Sequence, residues 1–231
     1  MSIEYALREI KAHWTERQWW RKRFLTHVVS QYYHKINKPD ADPLVERDWD
    51  NVVLLDACRY DLFKEGIDEH PLPGTLSKRT SVQSGTPGYL AENFAGQTFH
   101  DIVYVTANPY VQTELSEDTF YAVDHVWQDG WDDRLQTVKP ETMRDRAFAA
   151  AERYPNKRLI IHFNQPHAPF IGDIQLDRRS VTPTREAALS QNNKQRNKRT
   201  KTPFEQLGDG ERSSEEVWRA YRSNLICAMP S

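Results

Sequence analysis

Three short apolar runs, each closing on polar or charged residues, constrain this chain more than anything else in it. They are Asn51–Asp56 (NVVLLD), Asp101–Thr106 (DIVYVT) and Arg158–Asn164 (RLIIHFN). Near-continuous apolar runs of this length read as strands buried on both faces, as in parallel sheets. Helical patterns separate them. One begins at Thr86-Pro87 and runs to about Ala95; another begins at Pro140 and runs through Phe148–Ala151 to Tyr154. Proline at the first helical position gives up no intrahelical hydrogen bond, and Thr86 is expected as the N-cap before Pro87. Strands alternating with helices predict an α/β fold, a mostly parallel sheet with flanking helices.

Composition shifts on either side of this core. Residues 1–38 read as helix, with Ile3, Leu7, Ile10 and Trp14 on one face, followed by the basic and aromatic stretch Arg17–Phe24. Eight Lys and Arg against three Glu give these residues a net charge of +5. Such a helix can lie on an anionic membrane surface. The commoner arrangement buries the aromatics and leaves the cations in water, and that is the expectation here. Prolines mark Lys38–Pro43 as a linker. Residues 177–203 carry eight Lys and Arg against two acids, net +6, and read as an exposed or disordered loop. Residues 213–227 recover as a helix capped by Ser213 or Ser214, with Val217, Tyr221 and Leu225 on one face. The organisation is therefore a basic, aromatic helical segment with linker (1–45), an α/β core (46–172), a polar basic loop (173–212) and a C-terminal helix (213–231).

Several classes drop out. With a net charge of −2 and no recognised nucleic-acid motif, no nucleic-acid partner is expected. No apolar run approaches a transmembrane span, and Met1–Lys11 has no signal-peptide core. Cys58 and Cys227 are too few for a disulfide framework or a Cys-rich zinc site, so a cytoplasmic setting is expected. No glycine-rich phosphate loop occurs, which argues against P-loop, kinase and dinucleotide-binding readings.

Ligands of parallel α/β sheets sit at the carboxyl ends of the strands. Three segments bring reactive side chains to that edge. Asp56 closes the first strand, where a carboxylate can bind a hard metal ion, and Arg59 three residues on can pair with an anion. The plainer alternative has Asp56 capping the following helix and Arg59 paired with Asp61 on the surface. Thr86 lies at a helix start within Ser81–Tyr89, where a hydroxyl nucleophile would meet free backbone N–H groups; simple capping is the alternative. His167 stands between Pro166 and Pro169 just past the third strand, placed to contact an anionic substrate or protonate a leaving group, or simply to complete a turn.

The succession Val52–Asp61, Ser84–Tyr89 and Asn164–Phe170 resembles the sulfatase-like branch of the alkaline phosphatase superfamily, including archaeal sulfatase-like proteins with a similar Asp-Ala-Cys-Arg-Tyr-Asp stretch. The resemblance covers about residues 46–172, the N-terminal half of such a domain. It implies an alkaline-phosphatase-like fold, Asp56 as ligand to a divalent metal (Zn, Mn or Ca), Thr86 or Ser84 as nucleophile, and a substrate-contacting His167 in Pro166-His167-Ala168-Pro169. Three departures accompany it. Ser84-Gly85-Thr86-Pro87-Gly88 lacks the Cys/Ser-x-Pro-Ser-Arg pattern matured to formylglycine, so phosphate esters fit better than sulfate. No Asp-His-Gly motif follows, and His167 is the last histidine. The chain also stops where such a domain would continue, so a truncated domain is expected.

The reading is thus a metal-dependent hydrolase or transferase acting on phosphate or sulfate esters. Any further ligands would come from acids such as Asp129, Asp132, Asp133 or Asp173. The alternative is an inactive remnant that binds an anionic glycan or lipid headgroup through its basic segments, with peripheral membrane contact. Because a half-domain leaves sheet surface uncovered, a homo-oligomer or a complementing partner chain is expected.

Overall fold

The computed structural model describes residues 43–176 and 201–229 throughout, and Arg17–Phe24 with a few single positions between 11 and 41. The chain forms two compact units, Met1–Ala41 and Asp42–Ser231. In the first, helix α1 spans Arg17–Phe24. Trp14, Trp20 and Phe24 are exposed there, against the expectation of buried aromatics. Ile3, Leu7, Ile10 and most of the expected linker lie outside the described residues, as do residues 177–200 of the expected loop.

The second unit is the expected α/β core. Strands β1 (Asn51–Asp56), β2 (Phe99–Thr106), β3 (Phe120–His125) and β6 (Arg158–Pro166) form one sheet in the order β1-β6-β2-β3. Every neighbouring pair is parallel. Three of the strands are the three apolar runs; β3, with Asp124 and His125 inside it, carries no such run. A two-stranded antiparallel piece, β4 (Trp131–Asp132) with β5 (Thr137–Val138), lies beyond it. Among the described residues, the α-helices of this unit are α2 (Tyr60–Glu69), α3 (Thr86–Phe94), α4 (Tyr110–Glu114), α5 (Val126–Asp129), α6 (Pro140–Arg153), α7 (Pro203–Gly208) and α8 (Ser214–Ile226).

Alternation along the central strands sends successive residues to opposite faces. Leu159, Ile161 and Phe163 of β6 join Val103 and Val105 of β2 under Met143 and Ala150 of α6. On the other face Ile102, Tyr104 and Ile160 pack with Leu90 and Phe94 of α3. Toward the carboxyl end this second face turns polar: Tyr104 and His162 come first, then Thr106 and Asp56. A third cluster joins Leu62 of α2 to Val217, Tyr221 and Leu225 of α8, the face expected from the sequence. Ser213 is its N-cap, in a capping box with Glu216. Helix α8 packs on α2 and β6, so it belongs to the same compact body as the core. Short α7 interrupts the segment expected to be loop throughout. Among the described residues, no helix is long and apolar enough to cross a membrane.

Candidate functional site

At the carboxyl edge of the sheet a cavity of about 620 Å³ opens between β1, β6 and the start of α3. Asp56, Arg59, Ser84, Thr86 and His167, the five residues singled out from the sequence, all line it. A smaller chamber of about 140 Å³ adjoins, sharing Asp56, Thr86, Tyr110 and His167 with the first. The convergence follows from topology. Strands β1 and β6 are neighbours, so the residues just past each fall side by side, and α3 delivers its first turn to the same edge.

Asp56 sits where the β1–β6 register slips: Leu55 pairs with Phe163, whereas Asp56 pairs with Pro166. Its carbonyl accepts from the His167 amide at 3.0 Å. Its side chain does not cap a helix. The Thr86 hydroxyl donates to the carboxylate, with Oγ1 3.1 Å from Oδ1 and 3.3 Å from Oδ2. Asn108 Nδ2 donates to Oδ2 at 2.9 Å. Asn108 is itself held by its amide on Thr106 Oγ1 (2.9 Å) and by the Tyr110 amide on its own Oδ1 (3.0 Å). Asn108 lies in the turn after β2 and bears no apolar pattern or charge that would have marked it in the sequence.

The Thr86 position departs from the expected cap. Gly85 is the N-cap, its backbone extended (φ −132°, ψ 147°), and Thr86 is the first helical residue. Its hydroxyl is thereby free of capping and turned to Asp56. No acidic residue occupies the first turn of α3, whose exposed N–H groups favour an anion nearby. Ser84 lines the cavity but is exposed, and no hydrogen bond among the described residues ties it to Asp56. Of the two hydroxyls, Thr86 is the one engaged with the carboxylate.

Arg59 takes the plainer of its two expected roles. Its Nε and Nη2 contact Asp61 at 3.0 and 2.5 Å, and its guanidinium lies 5.6 Å from the Trp218 ring centre. The Asp61 hydrogen bond, the largest influence, raises the Arg59 pKa and lowers that of Asp61. Both are exposed, so the pair orients Arg59 at the rim with little stability at stake. His167 has Nδ1 2.6 Å from the Ala168 carbonyl. A hydrogen on Nδ1 makes Nε2 the basic nitrogen of this exposed ring. Cys58 is no rival nucleophile, because burial pushes its thiol up to about 12.

Below Asp56, His162 is 3% exposed and lines the large cavity. Its Nδ1 is 3.0 Å from the hydroxyl of Tyr104, which is fully buried. Burial lowers the His162 pKa, against a weaker upward pull from Asp56; burial likewise pushes the Tyr104 phenol well up. Both groups are neutral near pH 7. From the sequence, His162 reads only as one polar residue inside an apolar run.

A divalent metal finds only part of a shell here. Among the described residues, no three His, Cys, Asp or Glu side chains cluster to share an ion. The junction of the chambers offers the Asp56 carboxylate and the Thr86 hydroxyl. Catalytic zinc takes three protein ligands, and calcium six or more oxygens. Asp129, Asp132, Asp133 and Asp173 line neither chamber. Asp129 is held by Arg146 and Asp132 by Lys139, which keeps both acids engaged away from Asp56. The described donors therefore do not fit a resident ion by themselves.

No protein-family model matches this chain, and neither a curated protein nor a solved structure does.

Proposed function

We propose that the protein is a sulfatase-like hydrolase or transferase of phosphate or sulfate esters, with Thr86 as its nucleophile. The observation that carries this reading is the hydrogen bond from Thr86 to Asp56 at the junction of the two chambers. A hydroxyl at a helix N-terminus, bonded to a carboxylate and facing a roomy cavity, is arranged for attack on a tetrahedral anionic centre. Thr86 Oγ1 forms the bond to phosphorus or sulfur, and its proton passes to Asp56. The bond to the ester oxygen breaks, and the departing alkoxide takes a proton from water in the open cavity. Water, or an acceptor alcohol in a transferase, then displaces Thr86: His167 Nε2 accepts its proton, Asp56 returns the proton it holds to the departing Thr86 Oγ1, and the hydroxide left by the first step takes the proton from His167. Asn108 keeps the Asp56 carboxylate turned toward Thr86 during both steps.

No step is routed through a metal, since Asp56 and Thr86 alone fall short of a coordination shell. If this chain uses a Zn, Mn or Ca ion, its remaining ligands come from outside the described residues, for instance from a complementing chain. Elemental analysis of the purified protein with Asp56→Ala alongside tests that point: an ion held in the wild type and lost in the variant makes Asp56 a ligand.

The nucleophile is tested on aryl phosphate and aryl sulfate substrates. Thr86→Ala is expected to abolish turnover and Thr86→Ser to retain a measurable part of it. Equal activity in wild type and Thr86→Ala would remove Thr86 from the chemistry. The incomplete donor set favours a second reading, an inactive protein that binds an anionic glycan or lipid headgroup through its basic segments. That reading expects binding that weakens steeply with salt, ignores chelators and is accompanied by no turnover.

A further inference from the structure

One polar group in the wall of the cavity has no task in the chemistry above, and it is the most deeply buried of them. His162 lies on β6 between Leu54 of β1 and Thr106 of β2, one layer beneath Asp56 on the face covered by α3. Being 3% exposed, it has given up nearly all contact with bulk water, yet it lines the 620 Å³ cavity. Its Nδ1 faces Tyr104, whose hydroxyl is sealed in the core and must donate its hydrogen to some acceptor. Among the described residues the acceptor beside it is Nδ1. Tyr104 therefore donates, Nδ1 carries no hydrogen, and the ring hydrogen sits on Nε2. With Nδ1 turned to the core, the ring edge that reaches the cavity is the far one, which bears Nε2–H.

We propose that His162 binds substrate: its Nε2–H donates a hydrogen bond to a non-bridging oxygen of the tetrahedral oxyanion in the cavity, and Tyr104 is the positioning residue that fixes the tautomer. This rests on the reading of the cavity as a phosphate or sulfate ester site. The chemistry suits the place. An uncharged donor can meet substrate oxygens without competing for the Asp56 carboxylate, whereas an imidazolium one layer below Asp56 would pair with it and draw it away from Thr86. The lowered His162 pKa agrees with that uncharged form. A second histidine, His167, stays in the exposed turn with its basic nitrogen free for proton transfer, so the two rings divide the work of binding and proton transfer.

The test is nitrogen NMR of the full-length protein labelled with ¹⁵N-histidine, titrated with inorganic phosphate and, separately, with inorganic sulfate. His162→Gln assigns the His162 signals. The expected result is an uncharged His162 ring protonated at Nε2, a Nε2 signal that moves on anion addition, and a drift toward mixed tautomers in Tyr104→Phe. Losing a hydrogen bond to a charged oxygen should weaken anion binding by His162→Phe roughly tenfold or more, whereas His162→Gln, whose amide still donates, should bind more tightly than His162→Phe. Protonation at Nδ1, or a charged ring at pH 7.5, would overturn the proposal. So would anions that shift His167 and leave His162 unmoved, a result that spares the ester-site reading. If neither histidine responds to either anion, the ester-site reading fails and the proposal fails with it. Should His162→Gln not fold, the wild-type tautomer and the Tyr104→Phe spectrum decide the matter between them.

Discussion

At the residue scale the site turns on what surrounds one carboxylate. Asp56 accepts from Thr86 and from Asn108, and its backbone carbonyl ties it to the His167 turn. Asp56→Asn separates charge from shape. An asparagine keeps an oxygen that can accept from Thr86 but cannot take the hydroxyl proton. Turnover is expected to fall by about 10²- to 10⁴-fold, the usual contribution of a positioned base, while the melting temperature changes little. Full activity in the variant would remove Asp56 from proton transfer. The five residues legible in the sequence were legible for one reason: they sit at strand ends or helix starts, where a reactive side chain breaks an apolar pattern. Asn108 and His162 were not. One is a neutral amide in a turn, and the other is polar within a strand whose buried position is set by its neighbours in the sheet. Their meaning exists only in three dimensions.

At the scale of elements, α8 is what holds the two reactive turns in place. Asn224, fully buried, accepts the Ile171 amide on Oδ1 at 2.8 Å and donates from Nδ2 to the Pro166 and His167 carbonyls, each at 3.0 Å. One turn earlier the Tyr221 hydroxyl donates to the Ala57 carbonyl, next to Asp56, where Ala57 takes the left-handed backbone (φ 59°). Close packing continues beside them: a Cβ on Gly172 would meet the Ser223 carbonyl oxygen at 2.3 Å. Asn224→Ala leaves the Ile171 amide and the Pro166, His167 and Pro169 carbonyls without that partner. At 1–3 kcal/mol for each buried polar group, a loss on the order of 3 kcal/mol follows, or roughly 6 to 12 °C in melting temperature. Activity should fall with it, because the His167 turn loses its anchor. Asn224→Asp keeps the acceptor for Ile171 and should retain part of the stability; a melting temperature for Asn224→Ala equal to wild type would refute the anchoring role. The amphipathic face of α8 was plain in its sequence, as were β1, β2, β6, α3 and α6. That face says which side is buried and not what it is buried against, so the reach of Asn224 to a turn 57 residues away was not readable. Strand β3 stayed hidden because its apolar stretch, Phe120–Val123, is only four residues long before Asp124 and His125.

At the scale of the whole molecule, buried titratable groups set a window of pH stability, and its two edges have opposite signs. Burial lowers the pKa of His162 and His125 in the folded protein. The unfolded chain then binds more protons than the folded one below the ordinary histidine value of about 6.5. The contribution of these two rings is complete above that value and is lost as pH falls through their lower folded pKa values. On the alkaline side burial raises Cys58, Cys227 and Tyr221 to about 12. Their contribution is complete below the ordinary thiol value of about 8.5 and is lost as pH rises, because the unfolded chain ionises first. Stability should therefore hold a plateau between about pH 6.5 and 8.5 and fall on both sides. A further acid loss starts near pH 4, where Asp101 and Asp132 take up protons in the unfolded chain, while in the folded protein hydrogen bonds from Arg158 and Lys139 hold them below the usual carboxylate range. Thermal melts from pH 4.5 to 10 trace the plateau. His162→Gln tests the His162 share of the acid side, since removing the buried imidazole should flatten the decline below about pH 6.5 relative to wild type, even where the variant melts lower at every pH. An unchanged acid slope in that variant would mean that His162 carries no protonation penalty in the fold, and that its ring is either wet or already charged beside Asp56.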